Sequence, residues 1–373
     1  MDARKAQIAL FLALIAAPLG ANLAGLDGAN PRAENRAMAA FPPLAWRFGT
    51  MAAFPSAFTA WFEDHFGFRA TLVRWSGQIR YFGLGVSPSA GVVKGTGDWL
   101  FYGDDAGMDD YVRETPLAEE DVAEWRESIV RSRDWLRTQH IAFAFMIAPD
   151  KHVLYPEALP VSIRPIGRAY RMDQLYGALH GTGVTAVDVR PALHAAKARE
   201  ALYEKTDTHW NERGAFVAYQ QLIAAIRKDV PSVPPAWTRE DFEDVAQDTE
   251  AMDLAGMIGL KDVLRETRLR LSPRRPRQAR VVEPVGYEAS ANVGRIVTEI
   301  PGSTLPCAVV FRDSFGSGLA PFLSEHFRRV VYLWQNNFAA DVIREERPDV
   351  VIQEIVGRRL LRMSPYSNAP AGP

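Results

Sequence analysis

Cys307-Ala-Val-Val-Phe-Arg-Asp-Ser-Phe-Gly316 is the stretch on which the fold turns. Its first five residues form an uninterrupted apolar run, the length of a strand covered on both faces. A polar turn, Arg312-Asp-Ser314, closes the run, and a helical pattern follows over about 316–328. The same strand–turn–helix unit recurs on either side. Ile141–Ala148, Val184–Val189, Val330–Trp334 and Val350–Ile355 read as further strands. Helical patterns cover about 119–139, 214–226 and 338–346; the first carries Val122, Trp125, Ile129 and Trp135 at core spacing. Such alternation predicts an α/β fold, a doubly wound and mostly parallel sheet with helices on both faces. Ligands in that architecture sit beyond the carboxyl ends of the strands. Asp150, Lys151, Asp313, Ser314, Gln335 to Asn337 and Glu354 are expected to gather there.

A serine after a buried strand, with the amides of a helix N-terminus behind it, suits acyl transfer. The competing reading is a helix cap, since Asp-Ser after a strand caps well. A base is needed, and Thr206-Asp-Thr-His-Trp-Asn-Glu-Arg-Gly214 offers one. Asp207 stands two residues before His209, close enough to orient and charge-stabilise its imidazole. Asp313 is expected to cap its own helix, which leaves Asp207 as the orienting acid. The Ser314 N–H is the natural oxyanion donor. Asn211, Asn336 and Asn337 are weaker oxyanion candidates, with Arg312, Asp150 and Lys151 as candidate substrate contacts. His65 reads as packing, while His152, beside Lys151, reads as a possible substrate contact. No metal is expected, because Asp207 and His209 lack a third ligand at suitable spacing. Gly316-Ser-Gly318 lacks the lysine and spacing of a phosphate loop.

At 373 residues, 47% hydrophobic and 24% charged, the chain fits one large globular α/β domain with insertions. A net charge of −2 gives no global field for nucleic acid, so none is expected as partner. The single Cys307 excludes an internal disulfide and a cysteine-rich zinc site. Arg4 and Lys5 precede the apolar stretch Ile8–Ala21, which Leu23 to Leu26 extend. Positive charge before such a run predicts an N-terminus held inside and export of the chain beyond the run. Residues 1–26 are therefore read as an uncleaved signal anchor, with a cleaved signal peptide as the alternative. Residues 27–60 are read as a tether, 61–363 as the main domain and 364–373 as a disordered tail. Between 230 and 300 the pattern weakens, and arginines crowd Arg265 to Arg280. This reads as an insertion or surface hairpin with a solvated basic face, or else as a groove for an anionic polymer.

Several short motifs converge on one family. They are Glu34-Asn-Arg36, Asp64-His-Phe-Gly-Phe-Arg69, Gly97-Asp-Trp-Leu-Phe-Tyr102, Pro149-Asp-Lys151 with Tyr155-Pro-Glu157, Asp207-Thr-His-Trp210, Asp253-Leu-Ala255 and Arg312-Asp-Ser-Phe315. Together they resemble the alginate O-acetyltransferase family of AlgJ/AlgX-like, SGNH-hydrolase-like proteins. Asp-x-His precedes the serine here, the permuted order of that family. The resemblance implies Ser314 as nucleophile, His209 as general base and Asp207 as its orienter. It also implies no bound cofactor, an acetyl group delivered by a membrane-bound O-acyltransferase, and an exopolysaccharide acceptor in the periplasm. No further domain is expected after residue 363, which favours an anchored, AlgJ-like transferase over the AlgX type. The alternatives are an exported carbohydrate acetylesterase and a non-catalytic scaffold of a polysaccharide export complex.

Overall fold

The computed structural model describes residues 3–24, 38–43, 48–103, 105–112, 115–167 and 169–361. Glu34 to Arg36 and the expected tail 364–373 lie outside the described residues. Two units result, one of residues 1–92 with 251–264 and one of residues 93–250 with 265–373.

The first unit is helical. Helix α1 (Ala3–Leu23) carries no charge after Lys5, and its Ala3–Asn22 segment is long and apolar enough to cross a membrane. Helices α2 (Phe48–Asp64) and α3 (Arg69–Gln78) follow, and a π-helical turn over Ile79–Gly83 prolongs α3. The expected tether boundary at residue 60 thus falls inside α2. Its Met51, Phe54, Phe58 and Phe62 recur at helical spacing, a stronger signal than the single Pro55. Segment 251–264 adds a short helix, Asp253–Met257, and Arg74 of α3 pairs with Asp262.

The second unit is built on a sheet. Its strands, with β1 starting at the unit boundary, are β1 (Val92–Lys94), β2 (Leu100–Tyr102), β3 (Ala142–Ala148), β4 (Thr185–Val187), β5 (Phe242–Glu250), β6 (Arg265–Pro273), β7 (Arg280–Glu283), β8 (Arg295–Glu299), β9 (Cys307–Arg312), β10 (Arg329–Trp334) and β11 (Val350–Val356). Seven of them form one sheet in the order β4-β3-β11-β9-β10-β8-β7. The run β4-β3-β11-β9-β10 is parallel throughout. Strands β8 and β7 add an antiparallel edge. The region read as an insertion therefore divides. Strands β5 and β6 form the expected hairpin, whereas β7 and β8 extend the main sheet.

Strand alternation sorts the core into two layers. Ala308 and Val310 of β9, with Ile352 of β11 and Tyr332 of β10, face helices α6 (Glu212–Asp229) and α7 (Ser314–Leu323). Val309 and Phe311, with Val351 and Val331, face the opposite layer, where α4 (Glu119–Thr138), α5 (Arg171–Leu179) and α8 (Ala340–Glu346) lie. Every residue of β9 and of β11 is buried, as expected of central strands covered on both sides.

Candidate active site

Ser314 is the first residue of α7, directly after the buried end of β9. The turn between them is fixed by two carboxyls. Asp313 caps α7: its Oδ1 accepts the Phe315 N–H at 2.9 Å, and its Oδ2 accepts the Val356 N–H at 2.8 Å. Glu354 Oε2, reaching across from β11, accepts the N–H groups of Asp313 and Gly316 at 3.1 and 3.0 Å. Burial pushes the Glu354 carboxyl well above the usual carboxylate range, and the neighbouring Asp313 charge pushes the same way. Gly316 is required by this closeness. A Cβ there would lie 2.6 Å from Arg312 Cβ and 2.8 Å from Glu354 Oε2. Among the described residues, no acceptor meets the Ser314 N–H, so this amide at the positive end of α7 is available to an oxyanion.

The Asp207–His209 loop comes to the same turn. Asp207 Oδ1 accepts from His209 Nδ1 at 2.7 Å and from the His209 backbone N–H at 3.2 Å. Burial alone would raise the Asp207 carboxyl, but the His209 hydrogen bond and charge, with Lys151 behind, hold it at about 2. The imidazole packs on Phe315, ring centres 4.8 Å apart. The next residue, Trp210, donates its indole N–H to the Phe315 carbonyl at 3.1 Å. That bond ties the two motifs together, although 105 residues separate them. His209 Nε2 is buried and meets no hydrogen-bonding partner among the described residues. Catalytic hydrogen bonds are often long without substrate and tighten once it binds.

Two buried groups hold the loop in shape. Lys151 Nζ donates to the carbonyls of Glu204, Lys205 and Asp207, at 2.8, 3.0 and 2.5 Å. Burial lowers this amine to about 7, against the pull of Asp207, Glu266 and Glu204. From β6, Glu266 accepts the Lys205 and Thr206 N–H groups and the Thr206 hydroxyl. The β5–β6 hairpin is thus a brace of the candidate site.

A family model described as "SGNH hydrolase-like domain, acetyltransferase AlgX" matches residues 92–342. The chain belongs to that family. Curated relatives include a probable alginate O-acetylase AlgJ from Pseudomonas syringae, 33% identical over 141 residues, and one from Pseudomonas putida, 34% identical over 142 residues. These alignments cover 38% and 37% of this chain, and span about a third (34%) of each relative's length. Among solved structures, Bacillus cereus PatB1 superposes with a TM-score of 0.54 at 16% identity, covering 72% of this chain and 96% of its own. The O-acetyltransferase domain of Pseudomonas putida AlgJ gives 0.50 at 20% identity, covering 74% of this chain and 93% of its own. At such identities the superpositions speak to fold. They agree with the α/β sheet described above.

Within this family frame, the weaker sequence expectations need correction. Asn211 is the N-cap of α6; its Oδ1 accepts from the Arg213 and Gly214 N–H groups and its Nδ2 donates to the Ala201 carbonyl, so the amide holds the start of its own helix. Arg312 is buried beneath the turn, bonded to Ser317 Oγ at 2.6 Å and the Ala291 carbonyl at 2.8 Å, and stacked on Trp334. It braces rather than binds. Asp150 holds Arg358 through its guanidinium and backbone N–H. Lys151 is engaged by the three carbonyls above, and the His152 imidazole is buried against Tyr111. Asn337 is exposed, and its carbonyl accepts from Gln335; Asn336 is buried and accepts from Arg359. The sequence motif included Trp210 without a role for it, and Glu266 and Arg358 were not singled out at all. Arg358 lies over the Phe315 ring at 5.3 Å, placing a cation beside the serine turn. A tryptophan directly after Asp-x-His was the one local signal for any of the three.

Proposed function

We propose that this chain is an exported O-acetyltransferase that moves an acetyl group through Ser314 onto hydroxyls of an exopolysaccharide. The observation that carries this reading is the Trp210–Phe315 hydrogen bond, which sets a carboxylate-oriented histidine against the residue after the serine. In the first half-reaction, Ser314 Oγ attacks the acetyl carbonyl as its proton passes to His209 Nε2. The tetrahedral oxyanion lies against the Ser314 N–H. Collapse breaks the bond to the donor's leaving group, which takes the proton from His209, and acetyl-Ser314 remains. In the second half, a sugar hydroxyl gives its proton to His209 and attacks the ester. Ser314 Oγ departs and recovers that proton. Asp207, ionised beside the ring, fixes the Nδ1–H tautomer and stabilises the imidazolium in both halves.

The names of the curated AlgJ relatives support an alginate-like acceptor. Export and a donor at the membrane rest on the α1 helix with Arg4 and Lys5 at its start. The acetyl group then reaches Ser314 from a membrane-bound O-acyltransferase, with no cofactor held by this chain. Transfer is tested with an activated acetyl ester and deacetylated alginate oligomers, reading acetylated sugar by mass spectrometry. O-acetylated oligomers that disappear in Ser314→Ala support a transferase. Release of acetate alone, unchanged by acceptor concentration, would assign the site to an esterase in which water replaces the sugar.

A further inference from the structure

Helices α2 and α3 turn several large apolar side chains outward. Leu72, Trp75, Ile79 and Phe82 recur at helical spacing along α3 and its π-helical extension, and Trp75, Ile79 and Phe82 are 60%, 62% and 59% exposed. Beyond them Leu84 and Val86 are exposed too. The inward side of this helix holds Gly77 and Tyr81 instead. On α2, Phe58 and Phe62 are 38% and 47% exposed, and the exposed Met51 precedes them on the same helix. From Phe48 to Phe62, α2 has no charged residue at all. A water-facing helix normally reverses this pattern, with charges outside and apolar residues within. Contiguous exposed apolar surface of this kind marks an interaction face.

The unit also shows what covers it. The end of α1 packs on the turn joining α2 to α3: Asn22 donates its amide to the His65 carbonyl, and a Cβ on Gly67 would collide with the Pro18 carbonyl. The helix long enough to cross a bilayer therefore ends where the two apolar helices meet. We propose that α2 and α3 lie on the bilayer that α1 crosses, with their stripes sunk into the headgroup and upper acyl region. Trp75 and the exposed Arg80 suit that depth, an aromatic at the boundary and a cation toward anionic headgroups. This inference rests on reading α1 as a membrane span.

The test uses the full chain in nanodiscs of phosphatidylethanolamine and phosphatidylglycerol, in a Cys307→Ala background. An environment-sensitive label is placed in turn at F58C, I79C, L12C on α1, and E243C on the exposed, charged β5. All four side chains are exposed, so labelling leaves the interior intact. The expected result is quenching of F58C and I79C by nitroxide lipids, with iodide quenching at least about five-fold below that at E243C. If L12C is in lipid while F58C and I79C are as open to iodide as E243C, the inference falls and the anchor stands. Iodide access at L12C would overturn both. Shielding at F58C and I79C without quenching by nitroxide lipids would overturn it in favour of a protein contact.

Discussion

Asp207 keeps its charge in a buried place because His209 supplies two hydrogen bonds to one of its oxygens. Asp207→Asn preserves the shape and removes the charge that selects the tautomer. Acetyl-ester turnover should fall about ten- to ten-thousand-fold in kcat with little change in KM. Lys151 acts through the same loop, since its side chain donates to three of the loop's backbone carbonyls. Lys151→Met strands the Glu204 and Asp207 carbonyls, while that of Lys205 keeps the Leu100 N–H, and thermal unfolding should show a loss of about 2 kcal/mol or more. Glu204 gives the pH signature. Burial raises its carboxyl from 4.5 to about 7, so the folded state binds the extra proton between those values. Its contribution to stability is complete below 4.5 and lost as pH rises through about 7. Melting curves from about pH 4 to pH 8 should show that decline in the wild type and a flatter profile in Glu204→Gln. The Asp207–His209 pairing and the place of Ser314 at the head of α7 were legible in the sequence, because local spacing and the strand-to-helix pattern encode both. Lys151 and Glu354 were expected at the strand ends, but their bracing role, like that of Glu266, was not legible, because each acts on backbone groups about 40 to 60 residues away that only the fold brings near.

At the scale of elements, the turn from β9 to α7 is the one under most constraint. Its amides are held by Glu354, whose carboxyl is pushed by burial well above the usual carboxylate range. A glutamine keeps the accepting oxygen without a charge. Glu354→Gln should therefore stay within about 1 kcal/mol of wild type, while Glu354→Leu, leaving two buried N–H groups unmet, should cost about 2 kcal/mol or more. Equal losses in chemical denaturation for both variants would show that charge rather than acceptance matters at this position. The five parallel strands were readable almost to the residue, because a strand covered on both faces is an unbroken apolar run. Strands β7 and β8 were hidden: both carry arginine and glutamate at their ends, the composition of a sheet edge. In α3 and its extension, Leu72, Trp75, Ile79 and Phe82 carry the periodicity of a helix, which does not say which way the stripe faces. Apolar spacing is identical whether the stripe faces a core or a bilayer.

Across the whole molecule, the sheet order places Ser314 at the carboxyl end of the central strand β9. The basic segment Arg265–Arg280 finds its partners within its own unit, among them Glu204 for Arg268, Glu212 for Arg270 and Glu243 for Arg274. Its sequence reading as a polymer groove weighed charge that the hairpin uses to attach itself. What remains central is the covalent step, and peptide mass spectrometry of the intact chain after brief exposure to an activated acetyl ester tests it most directly. One acetyl group should appear on the peptide carrying Ser314, should be discharged by an acceptor sugar, and should be absent from Ser314→Ala. Full turnover by Ser314→Ala, or acetyl-enzyme formed at another residue, would contradict an acetyl-Ser314 intermediate.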